Sequence, residues 1–366
     1  MAVDLSSEAD WSAIVGRLGG IQSLEASARE TKAFVRPREV SNAVDLLRLL
    51  LAYCLGDCGL RLTATWAAAI GLADLSNVAV LYRLRQSGAW LTHLVGQALA
   101  AGLPKAGQGR LIRLIDATTV RKAGQAAKRG NGLWRVHGAF DLPSERFGAF
   151  ELTDESGGEQ IDRIAVVKGE IRIGDRAYLQ PARIAKVLQA GGDILVRAPV
   201  RNARWLDEQG QTLNLAAELA KAQDSLIDRP IWIGRPKPDK ALALRLVAVR
   251  KPEHAAAEAR RKARKQARKE GYRLSDNALA AADWVILVTS LDPQDFSTSD
   301  ILDLYRLRWR IELGFKRLKS IVGLKPPPGK DPRSARAYVL AHLIMILLLE
   351  PLVDALEDSP PVQSAA

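Results

Sequence analysis

Tyr305 to Lys319 read YRLRWRIELGFKRLK, a stretch rich in strong helix formers. Ser297 and Asp300 lie just upstream and offer a capping start, so we predict one helix through this stretch. At about 100° per residue its apolar residues share an arc of roughly 80°, which we expect to face the core. They are Leu304, Leu307, Ile311, Phe315 and Leu318.

A second arc of this helix, about 60° wide, carries one carboxylate among cations and an aromatic ring. Its members are Tyr305, Arg308, Glu312 and Lys319, with Trp309 and Lys316 at its edge. One interpretation is a solvated face with helix ion pairs, but cations outnumber the acid. The other is a site where the acid binds a metal ion and the cations hold phosphates.

The composition is that of a basic globular protein. The chain has 366 residues, enough for two or three domains, and its charge balance is 53 − 41 = +12. Such an excess indicates nucleic acid first and an anionic membrane second, with an indifferent basic surface as the alternative. The only cysteines, Cys54 and Cys58, are too few for a zinc site or a disulfide scaffold, which favours a reducing, cytoplasmic location.

No membrane segment is expected. The N-terminus is acidic and polar, unlike a signal peptide. The longest apolar run, Tyr338 to Leu349, is about 12 residues long and contains His342, so it is too short to span a bilayer. We predict a buried core helix there.

Residues 1–103 are predicted to form an N-terminal helical domain. Two of its short helices flank a turn at Gly71 to Asp74 and resemble a helix-turn-helix, although many helical packing modules share this pattern. If the second helix contacts DNA, it would do so through Asn77, Tyr82, Arg83, Arg85 and Gln86.

Residues 108–200 follow a linker at Pro104 to Gly109 and alternate strands with helices. We predict a hairpin of Trp134–Leu142 with Arg146–Thr153. The other predicted strands are Arg110–Asp116, Glu170–Asp175 and Asp193–Pro199, and the predicted helices are Gly158–Val167 and Pro181–Gln189.

Residues 201–295 do not continue the alternation of strands and helices, and they are predicted to be rich in strands. The predicted strands are Trp205–Leu215, Pro230–Gly234, Leu242–Val249 and Trp284–Thr289. Between the last two, Glu253 to Glu270 forms a very basic helix or coil, which is either solvated or tracks phosphates. Residues 296–356 carry the Glu312 helix and a last helix at Ser334–Leu356, and residues 357–366 form a disordered tail.

Two acids complete the predicted chemistry. Asp116 ends the strand RLIRLID, and Asp175 ends IRIGD. Each alone could be a turn or capping residue. Together with Glu312 they would supply the clustered carboxylates that two-metal phosphoryl transfer requires, with two cations about 3.5–4 Å apart.

With these three acids in this order, the chain resembles a known family, the DDE transposases of bacterial insertion sequences. The subgroup that it resembles is marked by Y-x2-R-x3-E-x6-K. Tyr305, Arg308, Glu312 and Lys319 match this spacing, and the contexts IDATTV and GDRAYL resemble those of the first and second Asp. The resemblance covers roughly residues 25 to 355. It implies an α/β fold with an RNase H-like catalytic core, a mixed sheet, a β-rich insertion over 201–295 and the N-terminal helical domain.

The resemblance also implies the site and its partners. Asp116, Asp175 and Glu312 would be the catalytic, metal-binding triad, holding two Mg²⁺ ions with Mn²⁺ as a substitute. The partner would be double-stranded DNA, both transposon ends and target, bound by a homodimer. The DNA contacts would come from Tyr305, Arg308, Lys319, Arg176, Trp309 and Lys316, while Trp205 and Trp284 are either base-stacking or core residues.

Three functions remain open on the sequence. The first is a transposase that binds terminal inverted repeats, cleaves at the ends and joins the 3′-OH to target DNA. The second is a metal-dependent RNase H-like nuclease without strand joining. The third is a catalytically decayed DNA-binding remnant, against which the presence of all three acids argues.

Overall fold

The computed structural model describes residues 7–101, 110–122, 132–199, 203–234, 241–329 and 331–357. The predicted linker at 104–109 and most of the predicted tail lie outside these ranges. Over the described ranges the chain forms ten strands and thirteen α-helices. The strands are β1 (Ile112–Arg121), β2 (Leu133–Asp141), β3 (Arg146–Asp154), β4 (Ile171–Gly174), β5 (Asp193–Arg197), β6 (Trp205–Leu206), β7 (Thr212–Leu213), β8 (Leu226–Gly234), β9 (Ala241–Arg250) and β10 (Trp284–Thr289).

Helices precede, interrupt and follow these strands. The N-terminal helices are α1 (Glu8–Arg17), α2 (Gly20–Glu30), α3 (Ala43–Leu55), α4 (Leu60–Ala69), α5 (Asn77–Gln86) and α6 (Gly88–Ala101). The later helices are α7 (Pro181–Gln189), α8 (Leu215–Lys221), α9 (Glu253–Glu270), α10 (Asp276–Ala280), α11 (Thr298–Arg306), α12 (Trp309–Ser320) and α13 (Pro332–Glu357).

All ten strands belong to one mixed sheet in the order β3-β2-β1-β4-β5-β10-β9-β8-β6-β7. β1, β2 and β3 pair antiparallel, whereas β1, β4 and β5 run parallel. This order and these directions agree with the expected RNase H-like core. The strands of residues 201–295 extend the same sheet through the antiparallel pairing of β5 with β10.

The sheet has a buried core on each face. On one face α6, α12 and α13 pack against β1–β3, and the other N-terminal helices gather around α13. On the other face α7 and α8 cover the sheet. The run from Tyr338 to Leu348 is buried, which confirms the predicted core helix. Pro332–Leu349 has the length and apolarity of a membrane span, but 72% of it is buried inside the protein, as in a core helix.

Several predicted elements are confirmed and others are wrong. The hairpin, α7, α9 and β10 lie where they were predicted. Residues 158–167 are not helical, because the Arg172 side chain binds the carbonyl oxygens of Ile164 (2.8 Å) and Ala165 (2.6 Å) and fixes an irregular loop. The long predicted strand at 205–215 is instead two short strands followed by α8.

Candidate active site

The register of the sheet places two of the predicted acids side by side. Ile115 of β1 pairs with Gly174 of β4 in parallel, so Asp116 and Asp175 occupy the next level on adjacent chains. Neighbouring strands lie roughly 4.8 Å apart, so the two backbones are close at this level. Non-local pairing therefore brings together two acids that are 59 positions apart in the chain.

The prediction that both acids end strands is half right. β4 stops at Gly174, and the Asp175 carboxylate accepts the backbone N–H of Arg176 at 2.6 Å, capping a short 3-10 helix. β1 continues past Asp116 to Arg121, because it pairs with β2 from Arg113 to Arg121. Asp116 is thus held inside a strand, and its carboxylate accepts the N–H of Ala117 at 2.8 Å.

Helix α12 brings Glu312 to the same place. Its buried residue Phe315 lies against Phe147, with ring centroids 5.2 Å apart. A Cβ at Gly138 would lie 2.9 Å from both of these rings, and one at Gly314 would lie 2.8 Å from Phe147. Glycine at both positions therefore lets the helix approach the sheet closely.

A cleft of about 450 Å³, called here the acid cleft, opens between β1 and α12. Asp116 and Glu312 line it from opposite sides, and Lys316 and Lys319 lie on the helix wall. Both lysines are exposed, so their ammonium groups can reach a polyanion that enters the cleft. The helix face predicted around Glu312 is therefore a wall of a cleft rather than only a solvated surface.

The ionised form of Asp116 is poorly stabilised in this cleft. Burial raises the pKa of Asp116 to about 6, and Glu159 and Glu312 add to this, whereas the Ala117 N–H and Arg308 oppose it. Glu312 is half exposed and pairs with Arg308 at 2.7 Å. In the described ranges no three His, Cys, Asp or Glu side chains are close enough to hold a metal ion. A cation between the acids would stabilise the ionised form of Asp116, and the oxygen donors suit Mg²⁺.

The predicted single helix is in fact two. α11 begins with the predicted cap, a capping box of Ser297 and Asp300, and ends at Arg306. The N–H groups of Leu307 and Arg308 bond to carbonyls three residues back, which makes a tight turn before α12 begins. Arg308 therefore precedes α12, one helical turn before Glu312, from where it forms the ion pair with that acid.

The other predicted DNA contacts lie around this turn. Tyr305 is partly buried, and this burial raises its pKa, while Arg308, Arg197 and Asp175 are close enough to act on it electrostatically. Trp309 is 50% exposed, so it is not a core residue. Arg176 is exposed but lines a different cleft, described below. The structure thus gathers Tyr305 and Arg308 near Asp175 and separates Arg176 from the acid cleft.

Sequence reasoning missed Tyr178. Its side chain is buried, its hydroxyl has no hydrogen-bond partner among the described groups, and Asp116 and Asp175 both act on it electrostatically. A Cβ at Gly174 would lie 3.0 Å from the Tyr178 side chain, so glycine there lets the ring lie against the end of β4. The only signal was its place three residues after Asp175.

A buried charge network supports the acids from below. Arg113 of β1 pairs with Asp141 of β2 at 2.7 Å and with Glu170 at 3.1 Å. Glu170 also pairs with Arg172 of β4 at 2.5 Å. All four side chains are at most 6% exposed. The network links β1, β2 and β4. Its arginines lie three positions before the acids in the chain, Arg113 before Asp116 and Arg172 before Asp175.

The two insertion tryptophans are core residues. Trp205 is 2% exposed and Trp284 is 3% exposed. The Arg250 guanidinium lies 4.6 Å from the centre of the Trp284 ring, so that ring already has a cationic partner. A stacking role for either ring would require it to leave these contacts.

A mixed RNase H-like sheet with two aligned aspartates and a facing helix glutamate is characteristic of metal-dependent polynucleotidyl transferases and nucleases. Comparison with known sequences narrows the class. Residues 107–348 match the family described as the transposase DDE domain. The chain belongs to this family and is an enzyme of DNA transposition.

Full-length relatives agree. The chain is 35% identical over 362 residues to the putative transposase InsL for insertion sequence element IS186A of Escherichia coli strain K12, with 97% of each chain covered. It is also 35% identical over 363 residues to the transposase for insertion sequence element IS421 of Escherichia coli, again with 97% of each covered.

Proposed function

We propose that this chain is an insertion-sequence transposase that binds the terminal inverted repeats of its element, cleaves at the ends and joins the 3′-OH to target DNA. The observation that carries the proposal is that Asp116 on β1 and Asp175, directly after the parallel strand β4, lie at the same level of the sheet, with Glu312 opposite Asp116 across the acid cleft. Family membership supplies the class of reaction.

Asp116, Asp175 and Glu312 would hold the divalent metal, Mg²⁺ with Mn²⁺ as a substitute. When bound, the metal pair supplies activation of the attacking oxygen and stabilisation of the leaving oxygen. The fit rests on the raised pKa of Asp116, because burial of its carboxylate outweighs the nearby charge of Arg308, and on the all-oxygen donor set. Glu312 must exchange its Arg308 partner for the metal.

The cations of the acid cleft would position the DNA. Release from Glu312 frees Arg308 to contact a phosphate, with Tyr305 beside it. Lys316 and Lys319 would contact phosphates along the wall of α12, and Arg176 would contact the strand as it leaves Asp175. Exposed Trp309 could then stack on a displaced base. Such contacts fix the scissile phosphate in line for attack.

The assembly and location follow from the reaction. Two transposon ends must be held together, so we infer a homodimer in the DNA complex. The chain would act on DNA in the bacterial cytoplasm. The exposed residues of α5, among them Tyr82, would contribute end recognition. The domain boundaries given above stay predictions.

The test uses the protein, Mg²⁺ and a labelled duplex that carries the inverted repeat of its element. We expect cleavage at the repeat boundary and joined products. Asp116→Asn, Asp175→Asn and Glu312→Gln should each lower cleavage at least about a thousandfold with DNA binding kept. Glu208→Gln, an exposed acid in the turn after β6, is the matched control.

Two outcomes would change the conclusion. Cleavage without joined products would favour the second candidate, a nuclease of the same fold. Normal joining by any of the three variants would exclude that residue from the triad.

A further inference from the structure

Helix α9 carries a continuous cationic face. Its alanines at 256 and 267 are buried, and Arg260 binds Asp283 at 2.7 Å, so this side holds the helix to the protein. The opposite side spans about 160° at 100° per residue and is exposed. It presents Arg261, Lys262, Arg264, Lys265, Arg268 and Lys269.

These cations are not balanced by acids. Within the described residues Lys262 pairs with Glu258 at 2.8 Å, and the other five form no ion pair. Like charges at neighbouring helix positions repel one another and destabilise the helix. An exposed face that carries six cations therefore costs stability in the free protein and suits a polyanionic ligand.

A second cleft, called here the basic cleft, runs along the flank of α9. It encloses about 910 Å³, and its cations are Arg176, Arg197, Lys251 and Lys262. The one acid on its described wall is Glu258, which Lys262 already binds. Burial lowers the pKa of Lys251, and Arg197 and Arg176 lower it further, whereas Asp283 opposes them. The cations of this cleft are thus close enough to repel one another.

The basic cleft adjoins the proposed catalytic acids. Arg176 follows Asp175 directly in the chain and lines the cleft. Arg197, at the end of β5, acts electrostatically on both Lys251 and Tyr305. A path of positive charge therefore leads from the acids through the cleft to α9.

We propose that the basic cleft and the cationic face of α9 together bind the phosphate backbone of duplex DNA beyond the cleaved position. Arg261 and Lys269 are eight residues apart, which is about 12 Å along a helix. Duplex DNA carries one charge per roughly 1.7 Å of its axis when both strands are counted, so about seven phosphate charges lie along that length. Six cations match this density. The inference rests on the proposed function, since it extends the same DNA site.

The experiment measures DNA binding without chemistry, in EDTA, over a series of salt concentrations. The test variant is Lys265→Gln/Lys269→Gln, and the control is Lys168→Gln/Lys186→Gln, which removes the same charge from exposed positions near α7. We expect the test variant to bind duplex DNA of any sequence about tenfold more weakly at low salt, because two phosphate contacts are lost. Its slope of log affinity against log salt should fall by about two, and the control should match wild type.

The outcomes separate this inference from the proposed function. Equal affinities and slopes for test and control variants, with wild type binding normally, would overturn the inference and leave the transposase assignment intact. A loss confined to single-stranded DNA would overturn the assignment to duplex. Failure of wild type to bind any DNA would overturn both.

Discussion

The two halves of the ten-stranded sheet differ in where most of their charged side chains lie. In the half formed by β1–β5, Arg113, Asp141, Glu170 and Arg172 are buried and paired with one another. In the half formed by β6–β10, Arg245 is also buried and pairs with Asp228, but the densest charges lie on α9 and face solvent. The buried charges can fix the geometry of the aligned acids, whereas the exposed ones are available to a ligand.

The contrast separates positioning from recognition. Buried ion pairs are weak sources of stability compared with apolar packing, but losing one partner is costly. They are therefore suited to holding β1 and β4 in one register beneath Asp116 and Asp175. Solvated cations contribute little to the stability of the fold, so their positions can be set by the ligand that they bind.

The largest expected effect comes from breaking the buried network. Glu170→Gln should lower the free energy of unfolding by about 3–5 kcal/mol, because it leaves Arg172 buried without a carboxylate partner and Arg113 with Asp141 alone. Glu218→Gln removes a partly exposed acid that pairs with Arg229 in the other half, and it should cost less than about 1 kcal/mol. Denaturant unfolding at neutral pH compares them. Equal losses would mean that burial does not distinguish the two halves.

In contrast, Asp116→Asn should raise the free energy of unfolding at neutral pH. The folded-state pKa of about 6 lies above the unfolded value of 3.8, so ionisation of Asp116 destabilises the fold as pH rises through 6. Without divalent cation, the variant should be more stable than wild type at pH 7.5 by up to about 3 kcal/mol. The gain should vanish below pH 3.8. Thermal unfolding against pH measures this, and a variant less stable than wild type at pH 7.5 would contradict it.

His137 should make the β1–β5 half sensitive to acid. Burial, with Arg163 and Arg135 nearby, lowers its pKa from 6.5 to about 4, so the unfolded chain takes up a proton that the fold resists. Stability should fall by up to about 3 kcal/mol as pH drops from 6.5 to 4. The difference between the unfolding curves of wild type and His137→Gln isolates this contribution. Parallel curves across that pH range would exclude it.

The smallest expected effect on stability is that of Lys265→Gln/Lys269→Gln. Both side chains are exposed, so the free energy of unfolding should change by no more than about 0.5 kcal/mol. The same variant is expected to show the tenfold loss in DNA affinity described above. A large loss of stability would mean that the face of α9 belongs to the fold rather than to a ligand.

Local pattern was sufficient for many elements. Proline marks the start of α7, and glycine marks the end of α9. Pro143 with Ser144 marks the turn between β2 and β3. The capping box at Ser297 was visible as well. In each case the contacts that define the element join residues a few positions apart, so the local sequence is sufficient to predict it.

Contacts between distant residues explain the errors. Arg172 binds carbonyls of the loop before it and prevents the helix expected at 158–167. Pairing with β2 extends β1 beyond Asp116. No local pattern marked the turn at Leu307, and α12 reaches the sheet only because Gly138 and Gly314 leave room for Phe147 and Phe315.

By itself the sequence determined the order of the three acids, the spacing from Tyr305 to Lys319, the basic charge and the family these imply. Only the tertiary structure decided that Asp116 and Asp175 share a level of the sheet, that Arg308 holds Glu312, and that Arg176 faces the basic cleft. The physical reason is that periodicity and capping act along the chain, whereas strand register and helix seating depend on contacts between residues tens to hundreds of positions apart.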